Sequence, residues 1–414
     1  MASYTDAAIE TYRSLLMRWN NMSLVTGPSA PLASFWITGN TLQTFFDYWI
    51  NCRQPAEAEV VTPILNYFYT IVRPDITSDD LDNIAERALQ KGRLWLDDFG
   101  WWGNAFATAC ENSEALNLSG DDVQVFLKAA INCWILMHKG YDIPPSPLMP
   151  GGIWNTKAAK SEPNDPDLHG RNNVTNTQFW LLSYRLAALT HDNHTYLNKW
   201  EDIRLWFEKL YNGSVLFDPD SLFVRERFKG ATGEKWTQGF YWAGDQGLFL
   251  HCMEIDTRSL PPFSDLKNKV LNYLLDNMCD DANVLHDQRI VTTDGFNNDY
   301  ATGKGVFFKH ILKTAQSSEN QRLYDCIMAS ATHAWNTKTA VELSWMYDFK
   351  FGWNDKGKLP LPGNWDTTNN TADTDFRKLI LHVAAMDAMT AAAALSPTGI
   401  IADCKTNGCL DNPE

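Results

Sequence analysis

The sequence predicts an all-α fold, a closed toroid of antiparallel helix pairs, and three observations carry that prediction. Apolar residues recur at helical spacing through most of the 414 residues, so each segment presents one stripe to a core. Strand-like alternation is scarce. Short and long connections alternate with no fixed-period self-similarity, which favours a ring over an open stack of repeats. About ten to twelve helices fit the chain at this spacing. No low-complexity spacer or charge block interrupts it, so residues 1–414 are expected to form one domain.

The stripes run in order along the chain. Ile9, Tyr12, Leu16 and Trp19 form the first. Asp79-Asp80 follows Ser78 and precedes Leu81, Ile84 and Ala88, the signature of a helix start with acids in its first turn. Gly92 is expected to end that helix, and Asp98 or Phe99 to begin the next, with Trp102, Ala105, Phe106 and Ala109 on its buried side. Asp121-Asp122 follows Ser119-Gly120 and opens a helix carrying Val123, Phe126, Ala130 and Trp134. Phe179, Leu182, Leu186 and Leu189 come next, then Trp200, Ile203, Phe207 and Leu210, then Leu266, Val270 and Tyr273, and finally Phe376, Ile380 and Val383. Gly-, Pro- and Asn-rich stretches at 143–152, 162–173 and 356–370 read as long functional loops gathered at one mouth of the ring.

One acid pair does not read as a helix start. Asp97-Asp98 lacks a preceding Ser or Thr and sits among Trp95, Phe99, Trp101 and Trp102. Carboxylates are seldom placed in apolar surroundings without a task. Glycosidic cleavage needs this combination: one carboxyl protonates the leaving oxygen, a second attacks or stabilises the anomeric carbon, and flat aromatic faces cradle the pyranose. Asp97 and Asp98 are therefore the candidate catalytic residues. Trp101 and Trp102 are the candidate stacking residues, and because neighbours on a helix point about 100° apart, one of them should face the core.

The bulk numbers exclude several other classes. A net charge of −15 and no Lys/Arg cluster argue against a nucleic-acid partner. No stretch is long and apolar enough to span a bilayer, the nearest being Ala384 to Leu395 with Asp387 inside it. Eight cysteines stand at 52, 110, 133, 252, 279, 326, 404 and 409, none in a zinc-type pair. Cys404 and Cys409 could close a small disulfide loop, and the others are expected to be buried small hydrophobes. Sequons at Asn21, Asn117, Asn173, Asn193, Asn212 and Asn369, with the even cysteine count, favour a secreted or cell-wall glycoprotein whose signal peptide has been removed. His191-x-x-His194 has metal-like spacing but lies in a polar loop, so no metal and no cofactor is expected.

Asp97-Asp98-Phe99-Gly100-Trp101-Trp102 closely resembles the Asp-Asp-x-x-Trp-Trp signature of glycoside hydrolase family 76, endo-α-1,6-mannanases with an (α/α)6 toroid. Gly151-Gly152-Ile153-Trp154, Arg171-Asn172-Asn173-Val174-Thr175-Asn176 and Lys304-Gly305-Val306-Phe307-Phe308-Lys309 are similar to further landmarks of the family, in its order. The resemblance implies a monomeric enzyme acting on an oligo- or polysaccharide, cleaving α-mannosidic, α-1,6 linkages with retention. It implies Asp97 as nucleophile and Asp98 as general acid and then base, the two carboxyls about 5 to 5.5 Å apart. A transglycosidase, or a carbohydrate-binding protein on an inactive toroid, are the competing readings. Where the family has Thr-Tyr-Asn-Gln-Gly, this chain has Ala243-Gly244-Asp245-Gln246-Gly247. The loss of a tyrosine predicts a wider subsite, and Asp245 adds an acceptor expected to repel anionic substituents. Asn176, Asp245 and Gln246 either bind substrate hydroxyls or satisfy buried backbone. Lys304 either binds in the cleft or is solvated.

Overall fold

In the computed structural model, the described residues are 2–21, 35–72, 95–142, 151–155, 170–218, 221–228, 242–255, 263–286, 302–341, 344–347 and 374–402. They form twelve α-helices: α1 (Tyr4–Asn21), α2 (Phe35–Asn51), α3 (Ala58–Val72), α4 (Leu96–Glu111), α5 (Gly120–His138), α6 (Asn173–Thr190), α7 (Asn193–Asn212), α8 (Ala243–Ile255), α9 (Phe263–Met278), α10 (Gly303–Ser317), α11 (Gln321–Thr337) and α12 (Thr374–Leu395). The helix expected to begin at Asp79-Asp80 and the Cys404–Cys409 loop lie outside the described residues.

The even-numbered helices form a closed inner ring. α2 packs on α4, α4 on α6, α6 on α8, α8 on α10, α10 on α12, and α12 returns to α2. The odd-numbered helices lie outside, with α5, α7, α9 and α11 each against the inner helix that precedes it in sequence or follows it. This is the all-α toroid that the stripes predict, with one hydrophobic core shared between the two shells. Close approach of the inner helices depends on small residues at the crossings. A Cβ on Gly247 of α8 would stand 2.7 Å from the Cα of Phe307 in α10, and one on Gly305 of α10 would stand 2.6 Å from the Cα of Ala384 in α12.

Two antiparallel ribbons interrupt the helices. Arg171–Asn172 (β1) pairs with Arg227–Phe228 (β2), and Lys338–Val341 (β3) with Ser344–Tyr347 (β4). The first matters for function, because it ties the chain entering α6 to the segment that precedes α8. All six described cysteines, at 52, 110, 133, 252, 279 and 326, are buried free thiols, and the Cys279 and Cys326 sulfurs lie 3.3 Å apart.

Candidate active site

The Asp97-Asp98 and Asp121-Asp122 pairs are used differently. Ser119 and Asp122 build a reciprocal cap at the start of α5: the Ser119 Oγ accepts from the Asp122 N–H at 3.1 Å, and the Asp122 carboxylate accepts from the Ser119 N–H at 3.0 Å. α4 has no such device. Trp95 precedes it in extended backbone, φ −80° and ψ 149°, with no side-chain cap. The Leu96 N–H donates to the Asn155 carbonyl at 2.7 Å instead. The helix thus begins earlier than the sequence suggested, which places both Asp97 and Asp98 in its first turn. Asp97 is half-buried and its Oδ1 accepts the Asp98 N–H at 3.1 Å; Asp98 is only 6 % exposed. The partial positive charge of the helix start favours carboxylates there.

Both acids open onto a cavity of about 310 Å³. Its wall combines Trp36 at the start of α2, Trp95, Asp97, Asp98 and Trp101 from α4 and its approach, Asn155 from the segment 151–155, Asn172 and Val174 at the start of α6, Glu226 and Arg227 where β2 begins, and Trp242 and Asp245 at the start of α8. N-terminal ends of four inner helices therefore meet at one cavity holding, among the described residues, four carboxyl groups and one guanidinium. Arg227 Nε donates to Glu226 Oε1 at 3.0 Å. Trp36, Trp101 and Trp242 form a continuous aromatic wall, with ring centroids 5.4 Å apart for the first pair and 6.2 Å for the second.

The structure brings Asp97, Asp98, Trp101 and Asp245 together in this wall and sends four other candidates elsewhere. Trp102 is a core residue: its indole N–H donates to the Phe35 carbonyl at 2.9 Å, and its ring packs on Phe35, Phe68 and Phe106. The 100° turn between neighbours has put Trp101 in the cavity and Trp102 behind it. Asn176 clamps the segment carrying Gly152, accepting from the Ile153 N–H at 2.7 Å and donating to the carbonyls of Ile153 and Asn172. Gln246 pairs with both main-chain groups of Val224, at 2.9 and 3.0 Å, fastening the approach to the ribbon onto α8. Lys304 is buried at the start of α10 and does not line the cavity. Asn176 and Gln246 thus satisfy buried backbone, the alternative open for them from sequence.

Two expectations at the α8 start are corrected. The space left by the missing tyrosine is filled, because a Cβ on Gly244 would stand only 2.6–2.7 Å from the six-membered ring of Trp242. Asp245 is fully buried, its Oδ1 accepting from Asn173 Nδ2 at 2.9 Å. Burial, reinforced by Glu226, pushes its carboxyl well above the ordinary range. Its carboxyl has no exposed surface and is committed to Asn173, so it does not present the anion-repelling group expected. Asn173, a sequon residue, is spent on this bond and on the Asp245 carbonyl and is fully buried.

Trp101 also lines a second chamber of about 420 Å³ among the C-terminal halves of all six inner helices. There Arg185 Nε and Nη2 bind the Glu111 carboxylate, each at 2.8 Å. Lys309 Nζ reaches the Asn40 carbonyl, the Asn40 side chain and Thr44, and stands 3.6 Å from Asp387. Burial pushes Asp387 up to about 7 and Asp47 up to about 6, although Lys309 opposes both. His251 and His310 meet at 3.0 Å through Nδ1, and burial pushes His251 down to about 3. This network belongs to the interior of the ring. Among the described residues no three His, Cys, Asp or Glu side chains are grouped to hold a metal, and no helix is long and apolar enough to cross a membrane.

Sequence comparison matches the chain over residues 2–395 to the model of glycosyl hydrolase family 76. No curated protein sequence matches it. Among solved structures, it is similar to Dfg5 from Chaetomium thermophilum in complex with glucosamine: 18 % identity, 94 % of this chain and 90 % of that one covered, TM-score 0.66. It is also similar to an inactive variant of an α-1,6-mannanase of Salegentibacter sp., in which two consecutive aspartates are replaced by asparagine and α-1,6-mannotriose is bound. The identity there is 13 %, covering 95 % of this chain and 100 % of that one, with a TM-score of 0.64. A family 76 mannosidase from Bacteroides thetaiotaomicron shares 11 % identity over 95 % of this chain and 98 % of its own, with a TM-score of 0.58. The distant solved structures share the fold, and the match over residues 2–395 decides the family: the chain belongs to glycosyl hydrolase family 76.

Proposed function

We propose that this glycoside hydrolase cleaves α-1,6-mannosidic linkages in mannan and retains the anomeric configuration. The observation that carries the reading is the placement of Asp97 and Asp98, uncapped, in one wall of a tryptophan-lined cavity. The Salegentibacter enzyme, inactivated at two consecutive aspartates and holding α-1,6-mannotriose, supports the same pair and the same substrate.

Asp97 is the nucleophile. It is the more exposed of the two, and the N–H groups at the start of α4 favour its ionised form. Asp98, buried beside Trp101, enters protonated. Asp97 attacks C1 while the bond to the glycosidic oxygen breaks, and Asp98 gives its proton to that oxygen. Water then attacks C1 of the covalent glycosyl-enzyme, Asp98 takes the water's proton, and the Asp97 carboxylate is released. Two adjacent carboxyls suit the short separation that retention requires.

Asp97→Asn and Asp98→Asn should each fold normally and lose activity by about 10²-fold or more. NMR of α-1,6-mannotetraose hydrolysis should show the α-anomer first. Near wild-type turnover in both variants would sink the assignment, and a β-anomer appearing first would sink retention. An acceptor-dependent ladder of longer products would reassign the second step to transfer onto a sugar hydroxyl.

The enzyme is further proposed to act as a secreted or cell-wall monomer of a single domain. The sequon residues Asn117 and Asn212 are exposed, and the Cys279 and Cys326 thiols are already adjacent. Mass spectrometry of protein from its native host should find glycan at Asn117 or Asn212, none at Asn173, and at least one disulfide. Finding every thiol free and every sequon bare would move the protein to a reducing compartment.

A further inference from the structure

We propose that Trp242 is the specificity-determining sugar platform of the cavity, and that Gly244 is the positioning residue that holds it there. The inference rests on the glycosidase reading of the same site. The six-membered ring of Trp242 lies on the Gly244 Cα, where any Cβ would come within 2.6–2.7 Å of Cη2, Cζ2 and Cζ3. Real Cβ atoms are not found so close, so even an alanine at 244 would lift the ring. The main chain of Trp242 cannot move to compensate, because its carbonyl accepts the Asp245 N–H at 3.1 Å and so forms part of the first turn of α8.

Held this way, Trp242 stands almost perpendicular to Trp101, at 80° with ring centroids 6.2 Å apart. Both rings line the cavity that contains Asp97 and Asp98. Two indoles at a right angle make a corner that takes the apolar C–H face of a pyranose on one ring and its edge on the other. The ligand class that fits is a neutral hexopyranoside. A flat apolar face gives nothing to a phosphate or a uronate, whose charge would also meet Asp97 and find Arg227 already paired with Glu226.

A double-mutant cycle tests the coupling, with binding measured by calorimetry in an Asp97→Asn/Asp98→Asn background so that no ligand turns over. The probes are α-1,6-mannotriose and a panel of neutral gluco-, galacto- and chito-oligosaccharides. Trp242→Ala should weaken binding of the best probe about tenfold, and Trp242→Phe a fewfold. Gly244→Ala should weaken it about tenfold when Trp242 is present and less than twofold in the Trp242→Ala background, because the glycine acts only through the ring. Thermal unfolding of each variant monitors the fold, and Gly244→Ala/Trp242→Phe keeps the cycle readable if Gly244→Ala alone unfolds.

Equal losses from Gly244→Ala in both backgrounds would overturn the coupling, and undiminished affinity in Trp242→Ala would overturn the platform. If the parent binds another neutral oligosaccharide but not α-1,6-mannotriose, the mannan reading fails and the corner is judged on the sugar that does bind. If no neutral oligosaccharide binds, the platform is overturned.

Discussion

Replacing Trp101 and Trp102 one at a time by alanine should separate chemistry from folding within a single dipeptide. Trp102 is fully buried, is surrounded by Phe35, Phe68 and Phe106, and spends its indole N–H on the Phe35 carbonyl. Removing such a side chain costs about 3–5 kcal/mol through lost transfer energy and the sealed void left behind. With an unfolding entropy of about 2.1 cal/mol/K per residue over 414 residues, that lowers the melting temperature by about 3–6 °C. Trp101 faces open space on two sides, since it lines both the cavity that holds Asp97 and Asp98 and the second chamber. Its removal merges existing cavities rather than opening a new one, so the stability loss should be smaller, about 2 kcal/mol. Its loss should instead appear in kcat/KM, by about tenfold, the value of one stacking contact. Circular-dichroism melts and kcat/KM on α-1,6-mannotetraose, taken at a temperature where both variants are folded, read the two effects. The reasoning fails if Trp101→Ala is the more destabilised protein, or if Trp102→Ala loses more kcat/KM than Trp101→Ala.

Two further outcomes follow from the packing of the ring. Asp387 has its carboxyl pushed up to about 7 by burial, so the stability it contributes is full below about pH 4 and is lost as pH rises through about 7. Asp387→Asn should therefore gain on the wild type across that window, by at most about 4 kcal/mol, and parallel melting temperatures from pH 4 to 8 would refute it. Gly247→Ala should cost about 1–3 kcal/mol by forcing the α8 backbone off Phe307. Gly120→Ala, which meets nothing within 4 Å, should melt with the wild type, and equal melting temperatures for the two would remove the argument that the inner helices touch through glycine.

The outer shell was readable from sequence because each of its helices has one buried and one wet side. The stripe Trp200, Ile203, Phe207 and Leu210 on α7 is such a case, and these residues are buried. The inner ring was harder. α8 is buried from Ala243 through Leu250, polar residues included, and so presents no single apolar face. α10 is buried in the same way from Gly303 through Phe308. Such helices show themselves through motifs rather than periodicity. The acid pair at 97 and 98 was legible because it broke a rule that Asp121-Asp122 obeys, a capping residue before the acids. Which indole faced the cavity was not legible, since it depends on where α4 begins, and a carbonyl from Asn155 sets that. Trp36, Glu226, Arg227 and Trp242 reach the cavity from separate segments, and no local signal in the chain marks them as neighbours. The glycine at 244 was legible as a departure, but its meaning lay in Trp242, two residues earlier and folded back over it.

The two chambers inside the ring differ in a way that the direction of the inner helices explains. At one end the N-terminal turns of α2, α4, α6 and α8 converge, each carrying the partial positive charge of a helix start. That end holds Asp97, Asp98, Asp245 and Glu226, with Arg227 as the one cation among the described residues of the wall. In a protein of net charge −15, so many carboxyl groups would repel one another unless something opposed them. The helix ends do so for those in the first turns, and burial pushes the Asp245 carboxyl well above the ordinary carboxylate range. At the other end the C-terminal halves converge, with Arg185, Lys309 and Lys313 in the wall, and the acids there are paired to Arg185 or stand beside Lys309. The macrodipole acts only within the first and last turns. Asp97 and Asp98, the acids proposed to do the chemistry, sit in a first turn and draw on it, while Asp387, in the interior of α12, depends on Lys309 and on burial. The direction of the inner helices thus supports the proposal that the cavity at the N-terminal end is the catalytic one, although the second chamber is larger and holds more ionisable groups.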